Sequence, residues 1–439
     1  VKEGEMLRIT TDRRFEDCNG TTRRDFIRVG ALGLTGITLP ALLANRAQAA
    51  AQGGAAKDTS VVWLWLGGGA THVETFDPKM DAPSEYRSVT GEERTPITGV
   101  TVGGTFPKIA RVADKMALVR SFTHKNSGHG GGTHWVMTGY DNRVVDNGGA
   151  ATYPSIGSIL SRFRGSNHSA TGMPMYIRQG RIGSDGPAFL GAGAAPFDPS
   201  GGARNNLNLN IPRERLEDRK HLLESLDNMN REVDASGTIE GMDRFEQQAF
   251  DTVLGKAAKA FDVKNEDPKV VEKYGRGLGQ QLLMARRLCE AGCGFVTVSY
   301  GGWDMHGNIK RGLESRSPEL DHAVSAFIED THRLGLNQKI LLVITGEFGR
   351  TPKINQGAGR DHWAPLSTLA LAGGGLRMGQ VVGESAPKVD VPHSRPVTPQ
   401  DLMATVFQVL GIPTDVQYTD FFGRPKYMIE GGKPIRELI

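Results

Sequence analysis

Cysteine is scarce, with three residues in a chain of 439. Cys18 lies close to the start, which leaves Cys289 and Cys293, four apart near the end of the helical pattern "QQLLMARRLCEAGCG". They read as two small buried side chains; the alternative, a disulfide or ligand pair, would distort the last turn near Gly292. A disulfide-stapled scaffold is therefore excluded. Beyond the first fifty residues no stretch reaches the ~18 uninterrupted apolar residues of a spanning helix. No basic run is interleaved with aromatics, so nucleic acid is not an expected partner. No internal repeat is present. Hydrophobic residues make up 38% and charged residues 23%, a globular composition. Glycine is abundant, at 57 residues, and several glycines stand directly after apolar runs.

The start of the chain reads as an address. "TTRRDFIRVGALGLTGITLPALLANRAQAA" opens on Arg23–Arg24, continues into a mildly apolar stretch, and ends on Ala47-Gln48-Ala49. Pro40 and the nearby Arg46 argue against a membrane anchor. The expectation is a twin-arginine signal over residues 1–49, cut near Ala49, then a linker over 50–60 and one domain over 61–439. The mature protein would be periplasmic or extracellular, with the twin-arginine machinery as a partner. That route moves folded chains, which suits a metal loaded beforehand. Of 52 Lys/Arg and 49 Asp/Glu, eight and six lie in residues 1–49, leaving a net charge near +1.

Strand-like runs occur at residues 61–69 ("VVWLWLGGG"), 116–122, 294–300, 339–346 and 366–375. Several are continuously apolar, as strands covered on both faces are. Amphipathic helical patterns alternate with the later ones: "SPELDHAVSAFIEDTHRLG", and "TPQDLMATVFQVLGI" closing at Gly411. The fold class expected is α/β, an α/β/α sandwich around a mainly parallel sheet. A helical insertion is expected at about 212–291, and a long ordered loop at 178–211.

Ligands of such sheets bind at the carboxyl ends of the strands. There the sequence places His72, Glu74 and Asp77; Asp304 and His306 in "GGWDMHG"; Glu347 and Arg350 in "GEFGRTP"; and Asp361 and His362 in "GRDHW". Asp304 and His306 are two apart at an extended strand end, so they point to one side and can share an ion. Imidazole mixed with carboxylate suits zinc, manganese or iron better than calcium. Asp and His also serve as plain caps and turn formers. "HKNSGHGGGTHWVMTGY" adds His124, His129 and His134 around Gly130, Gly131 and Gly132. This reads either as a glycine loop and helix start that cradle an anion, with Thr133 and His134 beside it, or as a turn before a buried helix capped by Thr133.

The leader, "WLGGGATHVETFDPK", "HGGGTHWVMTGY", "GGWDMHG", "GEFGRTP" and "GRDHWAPLSTLALAGGG" stand in the order in which they occur in a large exported bacterial family described only as a domain of unknown function. That family resembles a distant branch of the alkaline phosphatase and arylsulfatase superfamily, and the likeness spans residues 20–439. The resemblance implies metals above the strand ends, with Asp304 and His306 as the first ligand pair, Glu347 as the acid of the second and His362 as the late histidine. The chain departs from the superfamily at Phe348, where a second ligating His is expected, and at Gly67–Gly69, where a ligating Asp is expected. His129 falls where the covalent nucleophile is expected.

One divalent ion is therefore implied, with a second unsupported. The enzyme reading is a metal-assisted hydrolase of an anionic ester, a phosphorylated or sulfated small molecule or polysaccharide. In it Asp304, His306, His362, Glu347 and Asp361 would be ligands and His129 a nucleophile or general acid. Glu347 could instead be the base, while Arg350 and the amides of Gly130–Gly132 would hold the anion. The alternative is an exported binding or scaffold protein on the same fold.

Overall fold

Six consecutive residues, Ser60–Trp65, are all buried, and they form the middle of the molecule. In the computed structural model, which describes residues 57–200 and 256–439, this strand β1 lies between two parallel neighbours. The other strands of the central sheet are β2 (Met116–Val119), β3 (Tyr176–Gln179), β4 (Phe295–Ser299), β5 (Ile340–Thr345), β6 (Leu369–Gly373) and β7 (Gln380–Val382). Their order is β7-β2-β6-β5-β1-β4-β3. All pairings are parallel except those of β6, which runs against both β2 and β5. The mainly parallel sheet expected from the apolar runs is present; the short strands β3 and β7 escaped the sequence pattern because neither is an apolar run.

Alternation along β1 sends Val61, Trp63 and Trp65 to one face and Val62 and Leu64 to the other. The first face is covered by α1 (His129–Thr138), α2 (Ile156–Arg164) and α5 (Pro399–Leu410). The second is covered by α3 (Leu278–Glu290) and α4 (Ile309–Arg333). This is the α/β/α sandwich. The α5 helix begins on a capping box between Thr398 and Asp401 and ends at left-handed Gly411, as its sequence signals require. Helix α4 differs from expectation. Ser317-Pro318 reads as a helix start, but the helix begins at Ile309 and runs through Pro318. Burial of Leu313, Leu320, Val324, Phe327 and Ile328 outweighs the missing backbone hydrogen bond. Cys289 and Cys293 are both buried and unpaired, with Cys289 in the last turn of α3 and Cys293 just before β4.

Beyond this sheet lies a small hairpin, β8 (Gln417–Thr419) with β9 (Pro425–Tyr427). The expected signal at residues 1–49, most of the expected linker, residues 201–211 of the expected loop and the 212–255 part of the expected helical insertion lie outside the described residues. Among the described residues no helix is long and apolar enough to cross a membrane.

Candidate metal centre at the strand ends

The parallel strands β1, β4 and β5 finish at one edge of the sheet, and β2 runs with them. The antiparallel strand β6 begins at that edge, so the residues before it, Arg360 to Leu366, join the same rim. Five loops thus converge there. They carry Gly67–Ala70, Ser127 and the start of α1, Asp304 with His306, Glu347 with Arg350, and Asp361 with His362.

Past the end of β4 the chain makes a tight turn, the Met305 N–H donating to the Trp303 carbonyl at 2.9 Å, and burial alternates along it. Trp303 and Met305 are buried, and Asp304 and His306 face outward together. Asp304 Oδ1 lies 3.0 Å from His306 Nε2 and 3.1 Å from His362 Nε2, and those two nitrogens are 3.0 Å apart. His129 Nε2 approaches Asp304 Oδ2 at 3.5 Å. One donor atom each from His129, Asp304 and His362 falls within 4.8 Å of the others, and His306 adds a fourth beside two of them.

The far side of each imidazole is held by an acceptor. His306 Nδ1 is 2.7 Å from Asp361 Oδ1 and His362 Nδ1 is 3.0 Å from the Ser127 carbonyl. His129 Nδ1 is 2.8 Å from Glu347 Oε1, which also accepts the Gly68 N–H at 2.8 Å. Carboxylates and carbonyls cannot donate, so Nδ1 of each ring is a donor to the acceptor behind it, and an Nε2 freed of its own proton would present a lone pair on the side of Asp304. His306 Nε2 and His362 Nε2 thus lie 3.0–3.1 Å from Asp304 Oδ1 and 3.0 Å from each other, and His129 Nε2 lies 3.5 Å from Oδ2. Ligands about 2.1 Å from a shared zinc-like ion are spaced about 3.4 Å apart. This donor chemistry fits a cation.

Electrostatics follow from the packing. Partial burial by itself raises the Asp304 carboxyl, but the hydrogen bond and charge of Arg350, with His362 and His306, outweigh it and hold it at about 2. The Glu347 hydrogen bond raises His129, and burial lowers His362. The His306 hydrogen bond lowers Asp361.

Several residues singled out by sequence have other tasks. Arg350 is fully buried, so it cannot hold a substrate anion. It donates to the carbonyls of Gly68, Gly69 and Arg360 and to Asp304 at 2.6 Å, clamping the loops together. Gly130, Gly131 and Gly132 are the first turn of α1, not a loop, and the N-cap is Gly128, not Thr133. The Gly131 N–H is taken by Asp146 Oδ1 at 2.7 Å and that of Gly132 by the Gly128 carbonyl, so neither amide is open to an anion. The glycines instead permit close approach: a Cβ on Gly132 would stand 2.8 Å from the Glu347 carbonyl. The Thr133 hydroxyl donates to its own helix at the His129 carbonyl. His134 is fully buried, with Nδ1 on the Tyr140 carbonyl and Nε2 accepting the Thr152 N–H. Asp361 and Glu347 sit behind the imidazoles, holding His306 and His129, instead of standing among the converging donors. His129 itself joins those donors, away from the nucleophile role.

The first loop is also structural. His72 is buried with Nε2 on the Val389 carbonyl, and Asp77 meets Ser385 and Arg120. Glu74 is sealed in an ion pair with Arg360 at 2.8 Å, both side chains wholly buried. The Ser127 carbonyl and the Glu74–Arg360 pair were not anticipated. A backbone carbonyl has no sequence signal, whereas the Arg directly before Asp361–His362 was visible in "GRDHW". Phe348, where the resemblance calls for a ligand, places a buried ring 4.4 Å from that of His362 and 5.0 Å from that of His129. It forms an apolar wall behind them.

The fold and site define an α/β/α protein with a histidine-rich, carboxylate-bearing centre at the rim of its sheet. The chain belongs to the DUF1501 family of proteins of unknown function, whose profile matches residues 58–439. No curated protein sequence matches it. Among solved structures it is similar to a lipoteichoic acid synthase from Listeria monocytogenes, at 11% identity and a TM-score of 0.36, covering 88% of this chain and 77% of that one. It is similar to the zinc complex of a C-terminal periplasmic domain from Escherichia coli, at 11% identity and TM-score 0.37, over 80% and 82% of the two chains. A sulfatase from Pseudoalteromonas sp. aligns at 12% identity and TM-score 0.37, over 84% and 70%.

Proposed function

We propose that this protein is an exported, metal-dependent hydrolase of a phosphate or sulfate ester, carried on a carbohydrate. The observation that carries the reading is the gathering of three imidazole Nε2 atoms around Asp304, each ring fixed from behind. His129, His306, His362 and Asp304 would hold one divalent ion, with zinc, manganese and iron all suited to the donor set. When bound, the ion would polarise the ester oxygen and lower the pKa of a water. The chain's own residues do the positioning. Asp361, the Ser127 carbonyl and Glu347 fix the rings, and Arg350 keeps Asp304 ionised. The buried Phe348 ring keeps water from the back of the cluster. Export rests on the Arg23–Arg24 leader, and a periplasmic or extracellular location follows from it.

A second reading, a binding scaffold, draws support from one specific finding. Arg350 and the amides of Gly131 and Gly132, the donors expected to grip an ester anion, are occupied inside the protein. Metal analysis of the purified protein, followed by assays on aryl phosphates and sulfates, separates the two. About one ion per chain, lost in the Asp304→Ala/His306→Ala variant, together with metal-dependent turnover, is the expected result. Stoichiometric metal with no turnover of any ester would favour the scaffold. Protein that binds none of the three metals would refute the proposed centre.

A further inference from the structure

Zinc, manganese and iron all suit the donor types at the strand ends, but the number and spacing of the donors narrow the choice. A tetrahedral zinc that does chemistry takes three protein ligands and keeps its fourth position for water. His129, His306, His362 and Asp304 together would fill that position and close the ion to any substrate. Either one donor withdraws, or the ion has more than four positions.

His306 is the candidate to withdraw, because its side chain and that of Asp361 behind it are 47% and 53% exposed. Burial does not hold them, but hydrogen bonds do. Asn355 commits its whole side-chain amide to this corner. Its Nδ2 donates to the His306 carbonyl at 3.0 Å and to Asp361 Oδ1 at 3.2 Å, and its Oδ1 accepts the N–H groups of Gly357 at 3.0 Å and Gly359 at 2.9 Å. Just past His306, the Asn308 and Ile309 N–H groups donate to the Gly357 and Ala358 carbonyls at 2.8 and 2.9 Å. The Asp361 N–H donates to Thr351 Oγ1 at 2.9 Å. His306 is therefore tied both at its carbonyl and at Nδ1, and it stays with the other three.

The spacing agrees. Asp304 Oδ1, His306 Nε2 and His362 Nε2 form a nearly equilateral triangle with sides of 3.0, 3.0 and 3.1 Å. Tetrahedral bonds of about 2.1 Å would put ligand atoms about 3.4 Å apart. Octahedral bonds of about 2.2 Å, between the ranges of magnesium and calcium, put neighbours about 3.1 Å apart. The triangle matches one face of an octahedron, and two imidazoles with a carboxylate on such a face suit iron(II) with positions left open. Manganese(II) also favours octahedral sites, whereas magnesium and calcium prefer oxygen ligands throughout. His129 Nε2, 3.5 Å from Asp304 Oδ2, supplies a fourth donor outside the triangle.

We propose that these four donors are arranged for a six-coordinate divalent ion, manganese(II) or iron(II), with two positions open, and not for tetrahedral zinc. The inference rests on the metal centre proposed above and adds its coordination number, with Asn355 as the positioning residue that keeps His306 in place.

Affinity alone does not decide, because zinc outranks manganese and iron at sites of this kind. The test reads coordination number, on the full chain stripped by chelator and loaded with cobalt(II). Six-coordinate cobalt(II) absorbs weakly in the visible, and tetrahedral cobalt(II) absorbs intensely. A weak band is expected, and the manganese(II)-loaded protein should enhance water-proton relaxation through its open positions. An intense tetrahedral spectrum, or a manganese protein with no bound water, would overturn the inference and leave the centre standing. Protein that takes up none of cobalt, manganese, iron and zinc would remove the centre itself, and this inference with it. Asn355→Ala should weaken manganese(II) about 10–100-fold in chelator competition and intensify the cobalt band as His306 is released. Unchanged affinity and spectrum in that variant would show that Asn355 does not hold His306.

Discussion

Replacing Glu74 with Gln removes one charge and almost no volume, and it isolates the ion pair that fixes the rim loop. Arg360 reaches both Glu74 oxygens, at 2.8–3.2 Å, and neither side chain touches solvent. The next two residues are Asp361 and His362, so this pair sets where the third imidazole stands. Breaking a buried pair from one side leaves the other charge uncompensated, at about 3–5 kcal/mol. Carbonyls of Thr351, Pro352, Tyr86 and Arg87 still accept from Arg360 and favour the lower end. For the unit from Ala56 to Ile439, ~2.1 cal/mol/K per residue gives an unfolding entropy near 0.8 kcal/mol/K. The expected fall in melting temperature is thus about 4–6 °C, read by calorimetry at neutral pH. Arg360→Met alone should cost as much. Combined with Glu74→Leu, it should cost less than the two single losses added, because no lone charge remains. A Glu74→Gln protein melting within about 1 °C of the parent would refute the reasoning, as would strict additivity in the double variant.

Three further outcomes follow from the packing. His124 is buried, which pushes its pKa down to about 4. A lowered histidine stabilises fully above ~6.5 and loses that support as pH falls to 4, by about 3 kcal/mol in all. His124→Asn should flatten this acid limb in urea titrations, and an unchanged limb would exclude His124 as its source. Gly132→Ala gains about 1 kcal/mol of helix propensity but drives a Cβ to 2.8 Å from the Glu347 carbonyl, so a net loss of about 1–2 kcal/mol is expected in urea midpoints. A more stable variant would contradict that contact. Asp361→Asn takes the anionic acceptor from His306 Nδ1 without removing a converging donor. Zinc affinity measured by chelator competition should fall about 10–100-fold; an unchanged value would show that Asp361 does not orient the ring.

The sheet was legible where strands are buried on both faces, since β1, β4 and β5 are apolar runs that nothing but a covered strand explains. Strands β3 and β7 were not, because Tyr176–Gln179 and Gln380–Val382 owe their pairing to neighbours and not to their own pattern. At the site, residue type and edge were readable and role was not. Asp304, His306 and His362 announce themselves as donors placed by strand ends. Whether Glu347 or His129 faces the centre depends on a carbonyl, an amide and the width of a helix turn, none of which has a letter in the sequence.

The glycines make the same point in energetic form. "HGGGTH" reads most simply as a loop offering amides to an anion, because glycine exposes backbone. In the fold those glycines lie inside a helix, where each costs about 1 kcal/mol relative to alanine. That cost is offset by what the missing side chains admit. Asn126 and Asp146 crowd Gly131, and the Glu347 loop crowds Gly132. Packing α1 this tightly is what brings Glu347 Oε1 within 2.8 Å of His129 Nδ1 and turns the other nitrogen toward Asp304. Glycine here gives proximity of loops and no anion hole, which is why His129 stands with the donors of the centre.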